Sequence, residues 1–112
     1  MHIEEAKRGI VKLVALCGKL DANTSPDVEK RLLALVDEGE SRIAFDFSQL
    51  TYISSLGLRV LLLVAKRVQK AGGKLAVAAV SDQIYEVFTI AGFHNIFSIY
   101  PTLDEAVTHC AC

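Results

Sequence analysis

The sequence is poor in several residue types that would indicate a particular chemistry. It has no tryptophan, two prolines and three cysteines in 112 residues. An odd number of cysteines at these spacings excludes a disulfide framework. The glycine motifs GxxxxGK[ST] and GxGxxG, the zinc motif HExxH and the paired Cys–His zinc spacing do not occur. The chain therefore carries no sequence motif for nucleotide, dinucleotide or zinc chemistry.

A strong excess of one charge and long apolar runs are also missing. The formal net charge is −1, so no overall field would attract nucleic acid or an acidic membrane surface. Even the longest apolar runs, such as residues 60–65, are too short to span a bilayer. The first nine residues, MHIEEAKRG, lack the apolar stretch of a signal peptide. We therefore expect no nucleic-acid partner, no membrane insertion and a cytoplasmic location.

Potential catalytic and metal-binding side chains are dispersed along the chain. His2, His94 and His109 lie in unrelated contexts, and none shares a local motif with a nucleophilic serine or cysteine. The last four residues, HCAC, offer His109, Cys110 and Cys112, whereas a structural zinc site usually has four ligands. We expect a mobile C-terminal tail, no metal and no cofactor. Nothing in the sequence indicates an enzyme. A catalytic triad assembled from residues distant in the sequence remains an open alternative.

The sequence does contain a regular alternation of predicted strands and helices. Runs rich in Val, Leu and Ile predict strands at residues 9–18, 41–47, 74–80 and 95–100. Helical spacing between capping residues and glycine stops predicts helices at about 25–38, 55–71 and 81–92 and a closing helix after Pro101. Residues 48–54 are predicted to be a connection. This order predicts a single α/β domain over residues 1–112, with a mixed, mostly parallel sheet of four to five strands covered by about four helices.

The helix predicted from Ser55 has an unusual polar face. Its core face carries Leu58, Leu61, Val64, Ala65 and Val68. Leu56 and Leu63 fall on the opposite side near Arg59, where a partner surface and ordinary stray surface leucines are both open interpretations. Residues 57–74 carry five basic side chains and no acidic one, typical of a solvated face and also able to steer an acidic partner.

Two adjacent serines, Ser54 and Ser55, stand at the start of this helix. Serine is a common helix N-cap, so the pair can be purely structural, or one serine can cap while the other faces solvent. Asp21 and Asp46 both lie near predicted strand ends. They could in principle act as a pair of carboxylates, but the ordinary role of such residues is to cap turns.

Three segments together resemble the STAS domain, specifically the bacterial anti-sigma-factor antagonists. Residues 18–21, GKLD, are similar to the family's G-x-L-D strand end, and residues 46–48, DFS, to its D-[FL]-S. Residues 54–58, SSLGL, are similar to its [DS]-S-x-G-L at a helix start. The later AGGKL and FTIAGFHNIF also resemble the family, so the similarity extends over nearly the whole chain.

The resemblance implies a non-enzymatic partner switch. In this family the unmodified protein binds an anti-sigma factor that is also a serine kinase, and so frees a sigma factor. The kinase phosphorylates a serine that corresponds by position to Ser55, and a metal-dependent serine phosphatase reverses the modification. Ser54 is the second choice, because many relatives have aspartate at its position. The expected partner-binding residues are Asp21, Ser54, Ser55, Leu56, Gly57, Arg59 and Leu63.

Two alternative functions are compatible with the same residues. One is a STAS scaffold or subunit of a stressosome-type or lipid-transport complex, which would keep the fold without needing Ser55. The other is a small-molecule or nucleotide sensor, which would need a concave polar pocket.

Overall fold

The computed structural model describes all 112 residues as alternating strands and helices around one sheet. The strands are β1 (His2–Arg8), β2 (Val11–Leu20), β3 (Arg42–Asp46), β4 (Leu50–Ile53), β5 (Lys74–Ala78) and β6 (Ser98–Tyr100). The helices are α1 (Ser25–Asp37), α2 (Ser55–Lys70), α3 (Asp82–Ile90) and α4 (Leu103–Ala111), with a 3₁₀ turn at Phe93–Asn95. None of the four helices combines the length and apolar character that crossing a membrane requires.

The sheet is mixed and mostly parallel, as predicted. Its order is β1-β2-β3-β5-β6, and only the β1–β2 pair is antiparallel. Strand β2 has two parallel partners in succession: residues 12–15 pair with β3, and residues 18–20 pair with β4, with a register shift between Gly18 and Lys19. The C-terminal end of β2 therefore lies beside β4, the strand that leads into α2.

The core lies on both faces of the sheet. Helices α1, α2 and α3 bury their apolar faces on one side, against β-strand residues such as Val14, Ile43 and Phe45. Helix α4 covers the other side, where Ala106 and Cys110 pack on Ala44 and Ala76. Because alternate residues of β3 point to opposite faces, its continuous apolar run is explained by burial on both sides.

Three segments differ from the prediction. Strand β1 was not predicted, and β4 occupies much of the predicted connection at 48–54. The prediction of a mobile C-terminal tail was wrong, because α4 continues to Ala111 and Cys110 is fully buried, with its thiol 3.4 Å from the Ile43 carbonyl. No group of three or more His, Cys, Asp or Glu side chains is arranged to hold a metal ion.

Candidate functional site

The two serines lie where β4 ends, beside the end of β2. Leu20 and Ile53 are paired residues of these strands, and the Ser54 amide donates a 2.9 Å hydrogen bond to the Leu20 carbonyl. Asp21 directly follows Leu20. The predicted proximity of Asp21 to the serine turn therefore has a physical cause in the parallel β2–β4 pairing, which aligns the carboxyl ends of both strands.

Ser54 is the N-cap of α2. Its backbone is extended, with φ −93° and ψ 173°, and its hydroxyl oxygen accepts a 3.2 Å hydrogen bond from the Gly57 amide. This arrangement satisfies one of the amide groups that the first turn of a helix leaves without a backbone partner. The half-buried Ser54 side chain thus has a structural role.

Ser55 is the first residue of α2 and differs from its neighbour. It is exposed, and its hydroxyl forms no hydrogen bond within the protein. No acidic residue stands in the first turn of α2. The Ser55 hydroxyl is therefore free for chemistry with an outside reagent, and the positive end of the helix dipole is not already neutralised there.

Gly57 explains why the helix starts so close to the sheet. A Cβ added at this position would lie 2.8 Å from the Leu20 side chain and carbonyl oxygen and 3.0 Å from the Ile53 side chain. Only glycine lets the first turn of α2 approach the ends of β2 and β4 this closely. Gly57 is buried, so within the predicted patch it supports the turn and presents no side chain to a partner.

Asp21 holds the turn between β2 and α1. One of its carboxylate oxygens accepts hydrogen bonds from the amides of Asn23 (2.9 Å) and Thr24 (3.1 Å). The hydrogen bonds from Thr24 first, and from Asn23, lower the pKa of Asp21 below its usual value. The expected turn-capping role is confirmed, while the second carboxylate oxygen forms no hydrogen bond within the protein.

A shallow hollow connects this turn to the exposed side of α2. It has a volume of about 280 Å³. Its lining is Ala22, Ser25, Pro26 and Glu29 on one side and Leu56, Arg59 and Val60 on the other. The Leu56 side chain is 46% exposed there. The structure thus brings two predicted patch residues, Leu56 and Arg59, against the segment that follows Asp21.

Leu63 lies outside the hollow, two turns further along α2, and is 38% exposed.

Two residues near the site are not predicted from the sequence. Glu29 joins the hollow through the packing of α1 on α2, which no local pattern reports. Tyr52, 49% exposed just before the serines, is not among the predicted site residues, because residues 48–54 are predicted to be a connection.

Comparisons with known proteins give a consistent result. The family model described as the STAS domain matches residues 2–106. BtrV of Bordetella bronchiseptica, whose name assigns it as an anti-sigma factor antagonist, is 40% identical over 94 residues, covering 84% of this chain and 81% of BtrV.

Solved structures show the same similarity. An anti-sigma factor antagonist from Mycobacterium paratuberculosis superposes with a TM-score of 0.90 at 25% identity, covering 99% of this chain and 94% of that one. The Bacillus cell fate determinant SpoIIAA in its phosphorylated form superposes with a TM-score of 0.74 at 16% identity, covering 96% of this chain and 98% of that one. At that identity the second likeness concerns the fold alone.

Proposed function

Because the chain belongs to the STAS domain family, we propose that it acts as a phosphorylation-controlled anti-sigma-factor antagonist. In its unmodified form it binds an anti-sigma factor that has serine kinase activity, and a sigma factor is released. Phosphorylation ends the complex, and a serine phosphatase restores it. The chain is then a binding protein and not an enzyme, working in the cytoplasm where sigma factors act.

The observation that carries this proposal is the different roles of the two serines. Ser54 uses its hydroxyl to cap α2, whereas the Ser55 hydroxyl is exposed and unbonded. A kinase needs a hydroxyl that can enter its active site without disrupting the substrate's fold. This geometry favours Ser55 as the acceptor, in agreement with the position that the family resemblance implies.

A phosphate on Ser55 would change the surface and leave the fold nearly unchanged. It adds about −1.5 to −2 charges at neutral pH. At a helix N-terminus this charge meets free amides and the positive dipole end, so the helix tolerates it. In a docked interface the same charge must be desolvated beside Asp21 and near Glu29. Because every ~1.4 kcal/mol changes affinity tenfold, a cost of a few kcal/mol is enough to separate the partners.

The first experiment asks which serine is modified. Purified anti-sigma-factor kinases of the source organism are incubated with ATP and with wild-type, Ser54→Ala or Ser55→Ala protein, and the product is mapped by mass spectrometry. We expect phosphate on the wild type and on Ser54→Ala, and none on Ser55→Ala. Modification of Ser54 alone would contradict the assignment, and complete absence of modification would favour the scaffold alternative.

A second experiment tests the docking surface by calorimetric titration with the same partner. Leu56→Ala, Leu63→Ala and Asp21→Asn are compared with Lys70→Ala at the far end of α2. Asparagine is used at Asp21 because it keeps an oxygen for the turn amides. An interface anchor loses at least ~1–2 kcal/mol on truncation, so we expect binding roughly 5- to 30-fold weaker for Leu56→Ala. If all three variants bind like Lys70→Ala, the partner docks elsewhere.

A further inference from the structure

Arg59 is the one arginine of the chain without a partner. It is exposed and takes part in no hydrogen bond or ion pair within the protein. The other four arginines all donate hydrogen bonds to acceptors distant in sequence: Arg8, Arg31, Arg42 and Arg67. A free guanidinium is therefore a distinctive feature of this part of α2.

The position of Arg59 relates it directly to Ser55. The two residues are four apart in the same helix, so they are neighbours on one face, with about 5–6 Å between their Cβ atoms. Long helical side chains lean toward the helix N-terminus, which directs Arg59 toward the face that Ser55 occupies. The planar guanidinium can donate two parallel hydrogen bonds to a phosphate, which a lysine cannot do.

We propose that Arg59 is an intramolecular clamp for the phosphate of phosphorylated Ser55. This inference rests on the proposed function, because it concerns the state that the kinase would create. Arg59 then has two states. With Ser55 unmodified, its guanidinium is free to meet a carboxylate of the partner. With Ser55 phosphorylated, the phosphate holds the guanidinium, so the modification adds negative charge and also removes a cation from the docking surface.

The surrounding charges favour this exchange. Glu29 of α1 lines the same hollow as Arg59 without forming an ion pair with it, and Asp21 lies at the neighbouring turn. Both carboxylates repel a phosphate, so Arg59 adds to the free amides of the first turn of α2 as a group of the same helix that compensates its charge. A phosphate dianion is also a stronger partner for the guanidinium than a single carboxylate. It follows that Ser55→Asp, with a shorter arm and a single charge, would reproduce only part of the switch.

The test installs phosphoserine at position 55 by genetic encoding, so that it does not depend on any kinase. The pH titration of the phosphate is followed by ³¹P NMR in otherwise wild-type protein and in Arg59→Ala, Arg59→Gln and Arg59→Lys variants. Lys66→Ala, which removes another exposed cation of α2, is the matched control. Circular dichroism verifies that each protein is folded.

A nearby cation favours the dianion, so removal of Arg59 should move the titration midpoint upward. We expect a shift of at least about 0.3 pH unit in Arg59→Ala and Arg59→Gln, on the scale of an exposed ion pair. Arg59→Lys should recover part of this shift and Lys66→Ala should show almost none. Equal midpoints for wild type, Arg59→Ala and Arg59→Gln would overturn the clamp and leave the anti-sigma proposal standing. A kinase that ignores Ser55 would contradict the proposed function without affecting this measurement.

Discussion

Alanine substitution of each serine should separate the helix-capping hydroxyl from the proposed phosphate acceptor. Ser54→Ala removes the oxygen that accepts a 3.2 Å hydrogen bond from the Gly57 amide, in a first turn packed against Leu20. Ser55→Ala removes an exposed hydroxyl that has no partner within the protein. The two variants delete the same atom type from adjacent residues, so each is the control for the other.

The expected magnitudes follow from the two environments. Replacing a serine N-cap by alanine costs about 1 kcal/mol, within a range of about 0.5–2. For a chain of this size, 1 kcal/mol lowers Tm by roughly 4 °C. Alanine is the best helix former, so Ser55→Ala should change the free energy of unfolding by less than about 0.5 kcal/mol. Aspartate is also a good N-cap, so Ser54→Asp should keep most of the wild-type stability.

Thermal unfolding followed by circular dichroism measures the first effect, and phosphate incorporation measures the second. We expect Ser54→Ala to lose stability and remain a kinase substrate, and Ser55→Ala to keep stability and lose modification. The assignment of roles is refuted if Ser55→Ala lowers Tm as much as Ser54→Ala. It is equally refuted if Ser54→Ala and Ser54→Asp both unfold at the wild-type temperature, because the cap would then contribute nothing.

Two further predictions concern the support of the site and of the first strand. Gly57→Ala should lower the free energy of unfolding by about 1–2 kcal/mol, because overpacking against the Leu20 carbonyl outweighs the better helix propensity of alanine. Denaturant titration measures this loss. An unchanged unfolding midpoint would mean that the first turn of α2 moves freely. The hydrogen bond from Arg31 is the main cause that lowers the pKa of Glu5 below its ordinary 4.5. The contribution of the Glu5–Arg31 pair to the free energy of unfolding is therefore present above pH 4.5 and lost as pH falls through the lowered pKa of Glu5. Wild type and Glu5→Gln should differ in stability at pH 7 and converge in acid. A constant difference in stability from pH 7 to 3 would contradict this.

The interior of the fold was predictable from sequence because burial leaves a local pattern. Strands β3 and β5 are apolar runs, and α2 repeats its buried residues at helical spacing. Strand β1 leaves no such pattern, since HIEEAKR is an edge strand with no fully buried residue, and only Ile3 packs against the core. Its pairing with β2 depends on backbone hydrogen bonds, which any sequence can form.

The candidate site was predictable in part, for a related reason. The serine pair and Gly57 belong to one short segment, so their spacing was visible in the sequence. Which serine caps the helix depends on the extended torsion angles of Ser54, and these are imposed by the pairing of β4 with β2. The place of Glu29 in the hollow and the burial of Cys110 were not predicted, because the residues around each of them come from elements distant in the chain.

The rigidity of the serine turn decides which of the two serines fits the proposed switch. The Ser54 amide is held by the Leu20 carbonyl, its hydroxyl by the Gly57 amide, and Gly57 itself lies against Leu20 and Ile53. A phosphate on Ser54 would convert the capping oxygen to an ester in a half-buried position, and so would act on folding. A phosphate on Ser55 would sit on an anchored helix with its charge facing outward, and so would act on binding. Only the second arrangement can be reversed by a phosphatase without refolding the protein, which is the property that repeated partner exchange requires.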